Sequence, residues 1–258
     1  TSIVSIVRPI TKYAVTVIEP FSIRYHLEKA VHLARHGRPG PVWIDIPLDV
    51  QAAMVDENIL DGFDAAADMP AMKDATLPEK VARAIDLLSK AERPVILAGN
   101  GIRLAKAQND FLKLIDTLGI PVLTTWKAMD FIPEKHPLYV GRPGAVGQRG
   151  ANFSQQNADC IMTIGARLDL GQPAYTHESF ARSARKIVVD IDPAEINKLN
   201  MYIDVAVAAD AGDFIREFLQ QHNRGMKKAH KQWLQTCKAW QKRYPVILPE
   251  YWEKQRYV

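Results

Sequence analysis

Pro94-Val95-Ile96-Leu97-Ala98-Gly99-Asn100-Gly101 is an apolar run that stops abruptly in small, turn-forming residues. The run is too short for a buried helix and has no polar alternate positions, so it predicts a strand covered on both faces. Working outward, Pro78 to Ala91 and Ala105 to Leu118 show the apolar spacing of amphipathic helices, and a shorter helix is expected over Ala194 to Leu199. Further strands are expected at Pro121 to Thr125, Cys160 to Gly165, Lys186 to Asp192 and Val205 to Ala209. Strand and helix alternating in this way predict an α/β fold with a doubly wound parallel sheet, because parallel neighbours need crossover connections. Ligands of such sheets bind at the carboxyl ends of the strands.

Those ends carry the candidate site. The loop Gly99-Asn100-Gly101 opens toward a helix, where glycines let a backbone approach a phosphate closely and a helix N-terminus favours an anion. Leu104 stands where a dinucleotide fingerprint has its third glycine. The next expected strand ends in Thr124-Thr125-Trp126-Lys127, without an acidic residue for an NAD ribose, which argues against a conventional NAD dehydrogenase. Later ends carry Arg167-Leu168-Asp169, Asp190-Ile191-Asp192-Pro193 and Asp210. Arginine can pair with phosphate and carboxylates can accept from ribose hydroxyls, so these residues suit a nucleotide. The competing reading is local: Asp192 caps the helix begun by Pro193, and Arg167 pairs with Asp169. The residue types alone leave both open.

On the N-terminal side, residues 1–20 read as an irregular arm. A helix is expected from Ser22 to His36, with Ser22 as N-cap and Gly37 as C-cap, and a short buried strand from Val42 to Ile46. Residues 52–76 lack periodicity and read as a linker. The chain has 33 Lys and Arg against 29 Asp and Glu, yet residues 223–258 hold nine of the former and two of the latter, so its basic character lies in the tail. There Trp233, Leu234, Cys237 and Trp240 recur at helical spacing, which predicts an apolar stripe docked on protein rather than a nucleic-acid face. No apolar run is long enough for a membrane span, and Thr1 to Arg8 do not resemble a signal peptide. Cys160 and Cys237, without metal-ligand spacing, fit a reducing cytoplasm.

Gly37-Arg38-Pro39-Gly40-Pro41-Val42-Trp43-Ile44-Asp45-Ile46-Pro47-Leu48-Asp49-Val50-Gln51 resembles the stretch that closes the pyrimidine-binding domain of acetolactate synthases and related thiamine-diphosphate enzymes. Gly165-Ala166-Arg167-Leu168-Asp169 and Asp190-Ile191-Asp192-Pro193-Ala194-Glu195-Ile196 resemble two runs of that family's central domain. The resemblance covers roughly residues 1 to 215. It implies a division into residues 1–51, the end of the pyrimidine-binding domain; 52–76, a linker; 77–222, the central domain; and 223–258, a helical connector toward a diphosphate-binding domain. It also implies that the sheet has six strands, in the deoxyhypusine synthase and sirtuin-like class, and that it holds FAD, another adenine nucleotide such as ADP, or nothing. The matching contacts would be Gly99, Gly101, Thr125, Trp126, Gly144, Gly147, Arg167, Asp169, Asp190, Ile191 and Asp210. The sequence departs from the flavin pattern at Val146, usually His in those enzymes, and at Gly171, usually a second Arg.

In that family a glutamate hydrogen-bonds the aminopyrimidine of thiamine diphosphate, and a Gly-Asp-Gly motif holds Mg²⁺. The glutamate comes from an earlier part of the first domain, and Gly-Asp-Gly does not occur in these 258 residues. The expectation is therefore a fragment of a 2-keto-acid decarboxylating or acyl-transferring enzyme that is inactive alone. Its parent would be a homodimer or homotetramer, and the fragment a monomer or weak dimer. A freestanding adenine-nucleotide-binding or scaffold protein is the alternative. A sirtuin-like deacylase is disfavoured, since zinc cysteines are absent. His32 and His36 lie four apart but lack a third ligand, so they read as surface histidines. His177-Glu178 reads as capping or exposed rather than as an acid/base pair; Arg142 and Arg149 border the Gly-rich stretch Gly141 to Gly150, where a phosphate could rest or the loop could simply be solvated, and they rank below Arg167.

Overall fold

The computed structural model describes residues 2–68, 75–222, 230–248 and 251. The chain folds as two compact units, residues 1–73 and 74–258. The expected linker at 52–76 and connector at 223–258 lie partly outside the described residues.

The first unit runs α1 (Ile3–Val7), β1 (Tyr13–Thr16), α2 (Ile23–Arg35), β2 (Val42–Asp45), α3 (Leu48–Gln51) and α4 (Ala65–Asp68). β1 and β2 pair in parallel, Tyr13 beside Val42 and Thr16 beside Asp45, with α2 as the crossover. The expected irregular arm thus contains a helix and a strand. Tyr13-Ala14-Val15-Thr16 is too short to announce itself, and what makes it a strand is the ladder offered by β2. Ser22 does not cap α2 as expected: its hydroxyl donates to the Glu19 carbonyl at 2.7 Å, and the helix opens through a 3₁₀ turn at Pro20–Ser22. Gly37 has φ +62°, as a residue just past a helix end requires.

The second unit contains α5 (Leu77–Lys90), β3 (Pro94–Ala98), α6 (Gly101–Leu104), α7 (Gln108–Leu118), β4 (Val122–Thr124), β5 (Tyr139–Gly141), α8 (Arg149–Gln156), β6 (Cys160–Ile164), β7 (Arg185–Asp190), α9 (Pro193–Asn197), β8 (Val205–Ala208), α10 (Ala211–His222) and α11 (Lys231–Arg243). Six strands form one parallel sheet in the order β5-β4-β3-β6-β7-β8. Alternate residues feed two separate cores. Ile96, Ala98, Met162, Ile164, Ile187 and Val189 face one, closed by Val81, Ala84 and Leu88 of α5, Phe111, Leu114 and Ile115 of α7, and Phe214, Ile215 and Phe218 of α10. Val95, Leu97, Ile161 and Val188 face the other, closed by Ala151 of α8 and by Trp233 and Cys237 of α11. This two-sided burial is why the central strands read as continuous apolar runs.

The helix expected over Ala105 to Leu118 is divided. Lys106 has φ +54°, outside the helical region, so α6 ends before it and α7 begins after Ala107. Gly119, φ +61°, ends α7 and donates its N–H to the Ile115 carbonyl at 2.9 Å. β5 was not legible among the residues that precede α8, since it has three residues, one of them Gly141, and follows Pro137. Its edge is covered by α11: Lys238 Nζ donates to the carbonyls of His136 at 3.1 Å and Tyr139 at 2.5 Å. The indole N–H of Trp233 donates to the Pro94 carbonyl at 3.0 Å, so the tail's apolar stripe is docked on the sheet layer.

Candidate functional site

The chain leaves β3 for β4 on one side and leaves β6 for β7 on the other, so the strand order reverses between β3 and β6. At their carboxyl ends the two following loops cross in direct backbone contact. The Gly101 amide donates to the Gly165 carbonyl at 2.9 Å, and Gly165, φ +57°, donates to Val189 at 2.9 Å. A Cβ on Gly101 would stand 2.6 Å from Gly165 Cα. The Gly99 and Gly101 faces are therefore filled by the chain itself, which gives these glycines a reason independent of any ligand. The anion-favouring helix expected behind them is the four-residue α6, too short to carry that argument.

The loop after β4 is held beneath this crossing by an arginine that the sequence did not single out. Arg103 donates to Asn100 Oδ1 and the Lys127 carbonyl, both at 3.1 Å, pairs with Asp130 at 2.5 Å, and lies 4.8 Å from the Phe131 ring centroid. Arg103 also lowers the Asp130 carboxyl pKa through its hydrogen bond. Thr125 is buried and donates its N–H to the Ala98 carbonyl, whereas the neighbouring Trp126 is 53% exposed.

The loop after β5, the Gly-rich stretch bordered by Arg142 and Arg149, is held by its own hydrogen bonds. Gly144 has φ +132°, and both its N–H and its carbonyl bond the Asn152 side chain, at 2.9 and 3.0 Å. Gly147 donates to the Gly144 carbonyl at 3.0 Å. Arg142 donates to the Tyr139 hydroxyl at 3.0 Å, and Arg149 stacks 4.8 Å from the Tyr244 ring centroid. The loop after β6 reaches it: Ala145 N–H donates to the Gly171 carbonyl at 3.0 Å, and Gln172 Nε2 donates to Pro143 at 3.3 Å. Since β4 and β3 separate β5 from β6 in the sheet, this junction brings together loops that are distant at strand level.

Arg167 has φ +40° and pairs through Nε with Glu195 Oε1 at 3.3 Å, not with Asp169 as the local reading expected. Asp169 instead turns inward on its own loop, its Oδ1 accepting from Gly171 N–H at 3.1 Å. The local reading of Asp192 is correct: its Oδ1 accepts from Ala194 N–H at 2.9 Å and caps α9. Asp190 Oδ1 accepts from Asp192 N–H at 3.0 Å, and Asp210 Oδ1 accepts from Gly212 and Asp213 N–H at 2.8 and 3.2 Å, so both also shape turns. Gly99, Gly101 and the Arg167 loop are brought together, as are Gly144 and Gly171. Asp210 follows β8, which β7 separates from β6. Large apolar side chains stand exposed along this edge at Trp126, Val146, Leu170 and Ile191.

His177 Nδ1 and Glu178 Oε1 both hold Asn200, accepting from its backbone N–H at 3.0 Å and its side-chain amide at 2.8 Å. The His32 and His36 rings stack at 4.7 Å, and among the described residues no group of three or more His, Cys, Asp or Glu could hold a metal ion. Among the described residues no helix is long and apolar enough to cross a membrane.

Residues 81–218, more than half of the chain and including all six strands of the larger sheet, match the family model described as thiamine pyrophosphate enzyme, central domain. The chain is 37% identical over 216 residues to a probable acetolactate synthase large subunit of Methanocaldococcus jannaschii, covering 82% of this chain and 36% of that protein. It is 33% identical over 244 residues to the acetolactate synthase large subunit of Corynebacterium glutamicum, covering 93% and 38%. A glyoxylate carboligase of Escherichia coli is 30% identical over 238 residues, covering 90% and 39%. The chain thus spans less than two-fifths of the length of each of these relatives. By the matched residues and the sheet they build, the chain belongs to the thiamine pyrophosphate enzyme family, with residues 81–218 matching that family's central domain.

Proposed function

We propose that this chain supplies the central domain, and the end of the domain before it, to a thiamine-diphosphate-dependent enzyme that decarboxylates a 2-keto acid and transfers the resulting acyl or aldehyde unit. The observation that carries this reading is the long match to acetolactate synthase large subunits, with the chain covering only 36% to 38% of the first two. Thiamine diphosphate supplies the electron sink for such decarboxylations. This chain's own residues do not fit that coenzyme or its Mg²⁺: the sequence has no Gly-Asp-Gly, and the described residues hold no metal-ligand group. The reactive coenzyme would be held by pyrimidine-binding and diphosphate-binding domains, in a homodimer or homotetramer. A cytoplasmic setting is supported by two buried free cysteines.

The residues at the carboxyl edge of the sheet support a reading in which it takes an adenine nucleotide, ADP or FAD. Arg167 offers a 56% exposed cation, Asp169, Asp190 and Asp210 offer carboxylates, and Trp126 and Ile191 offer apolar surface for a ring. Gly99, Gly101, Gly144 and Gly147 let the loops at this edge pack backbone to backbone, and Thr125 follows β4 at the same edge. Calorimetric titration of the 258-residue chain with ADP and FAD tests this, together with absorbance near about 450 nm for bound flavin. Saturable binding is expected, with no acetolactate formed from pyruvate. Absence of nucleotide binding would remove the site, and acetolactate formation by the chain alone would overturn the division of labour.

A further inference from the structure

Arg167 is the residue on which an anionic ligand at this edge would depend, and both its backbone conformation and its Nε are engaged by the surrounding chain. Its backbone is left-handed, φ +40°, two residues after Gly165 at φ +57°. Such a conformation in a non-glycine residue is held by its surroundings rather than chosen by the residue. The guanidinium is engaged at Nε by Glu195 Oε1 at 3.3 Å. The Glu195 side chain is only 10% exposed, although it is charged and lies in the first turn of α9. Its other oxygen, Oε2, pairs with Lys198. Two cations therefore flank one carboxylate, and the three groups together carry one net positive charge.

We propose that Glu195 is the positioning residue for Arg167, holding it side-on through Nε so that its two terminal nitrogens face a phosphate bound at the carboxyl edge of the sheet. The inference rests on the nucleotide reading given above. A planar guanidinium held at Nε has its opposite edge directed, and that edge matches two phosphate oxygens. Lys198 has the complementary task. By pairing with the second oxygen it neutralises the carboxylate that would otherwise repel the ligand.

The sign of the effect separates aim from charge. Removing a carboxylate from an anion site would, by charge alone, tighten phosphate binding. Loss of aim does the opposite, since a freed arginine must be reordered on binding. The test is calorimetric titration of the full 258-residue chain with ADP and with adenosine, for the parent and for Glu195→Ala, Glu195→Gln, Lys198→Met and Arg167→Met. Glu195→Ala is expected to weaken ADP about tenfold or more, the size of one charge-assisted hydrogen bond, and to leave adenosine unchanged. Arg167→Met should do the same, and the double variant should lose no more than the worse single one. Lys198→Met should weaken ADP only.

Glu195→Gln keeps the size of the side chain and is expected to weaken ADP by roughly threefold, a fraction of the charge-assisted bond, which keeps the test available if the alanine variant does not fold. Tighter or unchanged ADP binding in both Glu195 variants, with Arg167→Met still weakening it, would overturn the positioning role and leave the nucleotide site standing. Equal losses for ADP and adenosine would show a merely structural role and also overturn it. A parent chain that binds neither probe removes the nucleotide reading itself, and this inference with it.

Discussion

Gly99 and Gly165 cross so closely that a Cβ added to Gly99 would stand 2.1 Å from the Gly165 carbonyl oxygen. The next obstacles, Ala166 Cα and N at 2.2 and 2.5 Å, are backbone atoms of the same loop, so no side chain can swing aside. Gly99→Ala is expected to lose at least about 3 kcal/mol of stability, because relief requires separating two loops that seal the sheet's switch point. Gly119→Ala is the comparison: its φ of +61° is strained for alanine but its Cβ meets nothing within 4 Å, so a loss of about 1 kcal/mol is expected. Urea denaturation of both variants checks the order, and equal losses would show that the crossing is not rigid.

Trp233 joins the tail helix to the sheet layer through one hydrogen bond to Pro94 and a buried ring. Trp233→Phe keeps most of the apolar body and leaves the buried carbonyl unpaired, for an expected loss of about 1–2 kcal/mol. Trp233→Ala also opens a cavity, and about 3–5 kcal/mol is expected. Chemical denaturation measures both. A negligible effect of the alanine change would mean that α11 adds little to the stability of this unit.

His222 is buried at the end of α10 and stacks on Phe218, with ring centroids 6.0 Å apart and no hydrogen-bond partner for Nδ1 among the described residues. Burial pushes its pKa below the usual histidine value. The unfolded chain therefore takes up the proton first as pH falls. The stabilising contribution is full above about pH 6.5 and is lost as pH drops toward the depressed folded value. His222→Gln should flatten the urea midpoint between about pH 7 and 5 relative to the parent. Parallel pH profiles for the two proteins would reject this assignment.

Cys160 and Cys237 are both buried and free, and burial pushes each thiol up to about 12. The thiolate is the reactive species, so neither should react with Ellman's reagent in the native chain at about pH 8. Both should react once the chain is unfolded in denaturant. Rapid native-state labelling at either position would show local opening of β6 or α11 on the assay timescale.

The course of the chain through the central sheet was legible because its signals are local. Pro94–Ala98 and Cys160–Ile164 are buried on both faces, and that requirement writes itself as an uninterrupted apolar run. Helix α5 shows Val81, Ala84 and Leu88 at the spacing its buried face demands. Strands β1 and β5 were not legible. Each is a few residues whose extended form depends on a ladder partner distant in sequence, β2 for the first and β4 for the second. Family resemblance supplied the sixth strand, which the residue pattern alone did not.

At the candidate site the division is sharper. Residue types determined that small, cationic and acidic groups would gather at the carboxyl ends, and of the two readings they left open for Asp192 the structure shows the helix cap. Only the tertiary structure decided the partners. Arg167 meets Glu195 rather than Asp169, Arg103 braces the β4 loop, and Gly171 reaches the Gly144 loop across intervening strands. Sequence encodes what one residue can do within a turn or along a strand. Which side chains face each other across a strand reversal is set by the order of strands in the sheet, and that order is a property of the packed chain.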